Sequence, residues 1–298
     1  MSQAEEPAFI QGMPILENFP IEPYKQIFRR VLRKTQEHSE KIRKEADEAS
    51  NIHTSAKLEA MKPTLTPIER TEAEKEERRT LQAFENRIAK TNKINERYQH
   101  FVGGWSGTLW RFHSCIEHSN AYTEAFKRSG PHPEGYEAYL QDKALFGFFS
   151  CGLSAIECVC YSLYLIEAMI KPEKFPITEK ALKSINPKDF AETYATEFHS
   201  KALYNITNSV EYRQWSEIRN VLTHASGTAG RTGIVRIVES LSPQTMDSSY
   251  QTESSGPSTI LWVKDLPIDE FTTSSRLVWL KDTLNILVYE INDITKTI

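Results

Sequence analysis

Residues 153–170 read LSAIECVCYSLYLIEAMI, the most apolar run in the chain. Its length is that of a membrane span, yet it contains Glu157 and Glu167. An ionised side chain at bilayer depth costs about 2.5–3.5 kcal/mol on insertion scales. The run therefore reads as the end of a buried helix, from about Tyr136 to Ile170, at the centre of a soluble bundle. The fold class expected is all-α, an up-and-down helical bundle.

Downstream of this helix, shorter helices are expected near residues 187–200 and 209–225. A last helix over about 268–295 carries Leu277, Leu280, Leu284, Leu287, Val288 and Ile291 on one side. Between them TGIVRIVES (232–240) and STILWV (258–263) alternate well enough to form a small β-hairpin insertion over about 233–263. The joining tract LSPQTMDSSYQTESSGP (241–257) is rich in Ser, Thr and Pro and is expected to be mobile.

Upstream, after a tail of residues 1–23, residues 24–61 are dense in charge and sparse in apolar positions, so they predict a long solvated helix. Pro63 and Pro67 end it, and Thr66 before Pro67 opens a second helix with a cap and a first-turn proline. Leu81, Phe84, Ile88, Ile94, Tyr98 and Phe101 give that helix one apolar stripe. The two pair as an N-terminal long-helix hairpin, an arm over 24–102. Gly103 and Gly104 are expected to end the arm, with a fresh helix from Trp105 to about Lys127 and the bundle occupying 103–298. Trp105 and Trp110 are assigned to the core.

The 298 residues suffice for one or two domains, and the net charge of −4 argues against a generic coat for nucleic-acid backbones while allowing a local basic site. Cys115, Cys151, Cys158 and Cys160 fit neither a disulfide framework nor a CxxC metal spacing and read as reduced thiols. The start MSQAEEPAFIQGMP lacks the features of a signal peptide, so a cytoplasmic location is expected, without a membrane. HSCIEH (113–118) sets His113 and Glu117 one turn apart beside His118, but a third metal ligand is not in sight and the group reads as a solvated helix face.

The chemistry concentrates in EYRQWSEIRNVLTHASGTAGR, residues 211–231. At about 100° per residue, Trp215, Ile218, Leu222 and Ala225 face the bundle, whereas Arg213, Glu217, Asn220 and His224 form a polar stripe. Arg219 precedes His224 by five residues and lies about 140° away from it around a straight helix. On the central apolar helix, Ser154 and Glu157 share a face and can approach this segment. Glu157 fits two roles equally, part of a site or a buried carboxylate paired with an arginine, with Arg219 itself the candidate.

RNVLTH, at the end of a bundle helix, resembles the motif of the HEPN superfamily: Arg, four to six residues, then His, often with Asn after the Arg. The resemblance spans about 105–298 and implies a HEPN-like bundle and a metal-independent endoribonuclease that needs no cofactor, with the roles of toxin, antiviral-defence effector and housekeeping factor all open. Arg219, Asn220 and His224 are the catalytic residues it implies, with Arg213, Glu157 and Ser154 contacting substrate. The residue types suit the chemistry. An unperturbed imidazole titrates near neutrality, which suits His224 as acid or base, and Arg219 offers permanent planar charge to a phosphate. One imidazole cannot serve as both acid and base in a step, so a homodimer is expected to bring a second His224. The expected partners are RNA, a second copy and a protein bound through the arm. The competing expectation is a catalytically inactive HEPN domain acting as an RNA- or nucleotide-binding or oligomerising scaffold. A further class is a coiled-coil sensor working through the arm. Ser226 stands where some family members carry a modifiable tyrosine, a departure that argues against that route of regulation.

Overall fold

A computed structural model describes residues 19–131, 133–193, 201–228, 237–238, 260–262, 266–267 and 269–297; for residue 193, residues 224–228 and the strand segments it describes the backbone alone. The fold is all-α. Its helices are α1 (Ile21–Ala60), α2 (Pro67–Ser129), α3 (Gly135–Ile170), α4 (Glu179–Lys183), α5 (Pro187–Thr193), α6 (Lys201–Thr207), α7 (Val210–Thr228) and α8 (Ser274–Ile294), the last followed by a 3-10 turn. Three segments, β1 (Ile237–Val238), β2 (Ile260–Trp262) and β3 (Leu266–Pro267), pair antiparallel in that order, with Ile237 opposite Leu261 and Trp262 opposite Leu266. The tract 241–257 and the rest of the expected hairpin lie outside the described residues.

The start of α2 follows its sequence signals. Thr66 Oγ1 accepts from the Glu69 backbone N–H, and the Glu69 carboxylate accepts from the Thr66 N–H at 2.8 Å, which closes a capping box with Pro67 in the first turn. Its continuation corrects the expected break. α2 passes through Gly103, Gly104 and Gly107 without interruption to Ser129. The reason lies in packing. A Cβ on Gly104 would stand 2.7 Å from Tyr161 Cδ1 and 2.8 Å from Ser162 Oγ, and one on Gly107 would stand 3.0 Å from Cys158 Sγ. The glycines bring α2 against α3, a use that offsets their poor helix propensity of about 1 kcal/mol each.

The periodicity of α2 agrees. Phe101, Trp105, Thr108, Phe112, Cys115, Ser119 and Tyr122 are all buried, spaced alternately by four and three. The same phase extends backwards through Tyr98, Ile94, Thr91, Arg87, Phe84 and Thr80, none of them exposed. Two residues of the expected stripe, Leu81 and Ile88, fall off this seam and are exposed. α1 runs antiparallel along it. His53 meets Thr80 at 3.3 Å, and Ser39 meets Asn95 at 3.4 Å.

The N-terminal turns of α1 bury more than their charge density suggested. Tyr24, Ile27, Phe28 and Val31 join the main core, Tyr24 stacks on Trp105 at a centroid distance of 4.4 Å, and its hydroxyl donates to the Trp105 carbonyl. Arg30 ties α1 to the end of α8, donating at 2.9 Å to both the carbonyl and the Oδ1 of Asn292. Trp110, expected inside, is instead exposed. α3 is the central helix. It is long and apolar enough to cross a membrane by length and composition, but Leu163, Leu165, Ile166 and Glu167 are fully buried within the protein. Trp215 of α7 lies directly over Gly152 of α3, a close approach that any Cβ would obstruct, with Phe148, Phe149 and Trp279 around the indole. Leu280, Leu284, Leu287, Val288 and Ile291 of α8 complete the core, with Leu277 partly buried at its margin.

Candidate functional site

Helical spacing fixes what α3 presents outward. Ser150, Ser154, Glu157 and Tyr161 recur at intervals of four, three and four, and none is fully buried. α7 borders one side of this strip through Trp215 at Gly152. α2 borders the other through Gly104 and Gly107 at Tyr161 and Cys158.

Arg219 reaches from α7 onto the strip. Its Nη1 donates to Glu157 Oε1 at 2.8 Å, while Ser154 Oγ donates to Glu157 Oε2 at 3.4 Å. Of the six expected site residues, Arg219, Glu157 and Ser154 are thus in one hydrogen-bonded chain, and the pairing of Glu157 with Arg219 is observed. The side chains are 31% and 39% exposed, so water screens the pair and its net stabilisation is only about 0–1 kcal/mol. What the contact supplies is orientation. Glu157 engages Nη1, leaving the rest of the guanidinium fork to approach a ligand.

Asn220, the next residue, is exposed. His224 follows one turn later in α7, and its side chain lies outside the described residues. Arg213 is not joined to the group. It is exposed six residues before Arg219, and its Nε donates to the Ser209 carbonyl at 3.3 Å, closing the start of its own helix.

Two residues beside the chain escaped the sequence analysis. Tyr212 stands two turns before Arg219 on the same face of α7, and its phenol is pushed well up, first by burial and then by the negative charge of Glu157, with Arg219 opposing. It stays protonated at every ordinary pH and can only donate or accept a hydrogen bond neutrally. The i, i+7 spacing of Tyr212 and Arg219 was the available signal. Arg111 of α2 acts electrostatically on both Cys151 and Cys158, so a second guanidinium stands on the α2 side. Its signal was the two half-buried cysteines seven apart on α3. Burial raises both thiols despite Arg111, so neither is a ready thiolate nucleophile at neutral pH.

The HSCIEH group resolves into two contacts. His113 Nε2 lies 3.4 Å from Glu117 Oε1, and His118 fills the notch left by Gly147 on α3. Burial lowers the His118 imidazole. Among the described residues no three His, Cys, Asp or Glu side chains converge as a metal site. No family model matches the chain, and neither a curated protein nor a solved structure does.

Proposed function

We propose that the chain is a metal-independent endoribonuclease of HEPN type, with Arg219 as its phosphate clamp. The observation that carries this is the Arg219–Glu157–Ser154 chain: a partly exposed guanidinium held by a carboxylate, next to Asn220 and five residues before His224. Such a guanidinium is pre-oriented, so little reorganisation is needed when charge develops on a phosphate. In the proposed reaction the RNA 2′-oxygen forms a bond to phosphorus as the bond from phosphorus to the 5′-oxygen breaks. His224 takes the 2′-hydroxyl proton and His224 of a second copy gives one to the leaving 5′-oxygen, so the products are a 2′,3′-cyclic phosphate and a free 5′-hydroxyl. Asn220 orients the phosphate or the imidazole, and Arg111 adds charge from the α2 side.

One observation favours the inactive scaffold as second function: the Arg219 charge is already balanced by Glu157. The two separate in one experiment. Arg219→Ala and His224→Ala should each abolish cleavage of single-stranded RNA while melting temperature and dimer mass in light scattering stay at parental values. RNA that remains intact with the parent protein, together with a lowered melting temperature in Arg219→Ala, assigns the pair to structure and leaves the scaffold.

A further inference from the structure

Gly103 has no packing reason to be glycine. It sits mid-helix, where glycine costs stability, and a Cβ there would meet nothing within 4 Å, in contrast to its neighbour Gly104. What it borders is open space. An open surface cavity of about 350 Å³, its exposed wall mostly apolar, is lined by Glu96, Gln99, His100, Gly103 and Gly104 of α2 and Tyr161 of α3. Glu96, Gln99 or His100, and Gly103 follow at the three- and four-residue spacing of one helix face, so a side chain at 103 would enter the cavity.

The walls carry matched polar groups on aromatic rings. The Tyr161 hydroxyl meets His100 Nδ1 at 2.9 Å, with the rings edge to face at 6.3 Å, and Glu96 Oε1 stands 4.0 Å from His100 Nε2. Burial raises the Tyr161 phenol, which keeps it a donor. The hydroxyl donates to Nδ1 in one imidazole tautomer and accepts from it in the other. Gln99 adds an amide with both a donor and an acceptor. The lining contains a carboxylate and no lysine or arginine and its exposed wall is mostly apolar, so it disfavours a phosphate or carboxylate and suits the face of a neutral heteroaromatic ring.

We propose that this cavity binds a nucleobase, seated on the bare backbone of Gly103 beside the His100–Tyr161 pair, with Gln99 reading its edge. Amide side chains pair bidentately with base edges, and aromatic rings pack against base faces. Tyr161 lies four residues after Glu157, about 6 Å along α3. The cavity is thus one helical turn from the Arg219 clamp, within the reach of one nucleotide. Only this placement rests on the ribonuclease proposal. The base comes either from an RNA strand or from a free nucleotide.

Titration calorimetry with each of the four nucleoside 5′-monophosphates, and with short 2′-O-methyl RNA oligomers that a 2′-hydroxyl mechanism cannot cleave, tests this. At least one of these probes should bind saturably. Gly103→Leu should weaken it about tenfold or more while the melting temperature holds or rises, because leucine is the better helix former. Tyr161→Phe, which keeps the ring and loses the hydroxyl, should weaken it by a smaller factor. Saturable binding of the oligomers alone assigns the base to an RNA strand, and binding of monophosphates assigns it to a free nucleotide. Absence of binding by every probe, or binding untouched by Gly103→Leu, overturns the inference even if the parent cleaves RNA. Binding lost in Gly103→Leu by a parent that cleaves nothing upholds the cavity and removes only the ribonuclease.

Discussion

α2 passes through two environments in one unbroken seam, and the difference between them separates stability from reach. In its C-terminal half the seam carries four buried aromatic side chains, Phe101, Trp105, Phe112 and Tyr122, beside the smaller Thr108, Cys115 and Ser119. In its N-terminal half the seam positions are Thr80, Phe84, Arg87, Thr91 and Ile94, facing Ala46, Ala49 and His53 of α1. Burying a large apolar side chain contributes about 1.5–3 kcal/mol and a single methylene about 0.8 kcal/mol. The bundle half therefore dominates stability, and the arm is held mainly by continuity with it. A long paired helix can thus extend away from the core without a core of its own.

The largest break in this comparison comes from Trp105→Ala. It removes a fully buried indole stacked on Tyr24, whose Nε1 donates to the Tyr24 carbonyl at 3.2 Å. Denaturant unfolding should show a loss of about 3–5 kcal/mol. Leu81→Ala and Ile88→Ala, exposed on the arm, should stay within about 0.5 kcal/mol of the parent. Equal losses in arm and bundle would contradict the division.

Glycine substitutions sharpen it next. Gly152→Ala drives a methyl into the Trp215 ring and should cost about 1–3 kcal/mol, whereas Gly103→Ala should be neutral or stabilising by up to about 1 kcal/mol. A destabilised Gly103→Ala would mean that Gly103 does serve packing. Hydrogen exchange by mass spectrometry should then show amides of residues 40–60 and 67–92 exchanging before those of residues 101–125, since few large side chains cover the former.

The sequence carried the central helix clearly because α3 is apolar on nearly every side, and carried the α2 start because capping chemistry is local. It hid the continuity of α2. Gly103 and Gly104 look like a helix stop when read alone, and only Tyr161 and Ser162, far along the chain in α3, show why Gly104 is small. Alternation of threes and fours from Thr80 to Tyr122 was present throughout, but Thr, Arg and Cys at seam positions disguise it against an apolar-only count. At the site, Glu157 and Arg219 could be paired on charge and burial grounds. Tyr212 and Arg111 could not, since their relevance depends on which helices neighbour α3.

The smallest effect concerns pH. His118 has a folded pKa below that of an unfolded histidine, near 6.5, because burial disfavours its charge; Glu117 opposes this and Lys143 assists. The unfolded chain therefore binds the proton more readily. The His118 contribution is complete above about pH 6.5 and is lost as pH falls through the lowered folded value. Thermal melts of the parent should decline between pH 7 and 5 more steeply than those of His118→Gln. Parallel slopes would show that the imidazole in the Gly147 notch is not the group responsible.

The most direct test of the ribonuclease proposal is the chemistry of the RNA ends. Parent protein incubated with single-stranded RNA in excess EDTA, with the products weighed by mass spectrometry, should give fragments ending in 2′,3′-cyclic phosphate and beginning with 5′-hydroxyl. Arg219→Ala should give none. RNA left whole by the parent, cleavage that stops in EDTA, or cleavage that survives Arg219→Ala would each contradict the assignment of Arg219 as the clamp of a metal-independent nuclease.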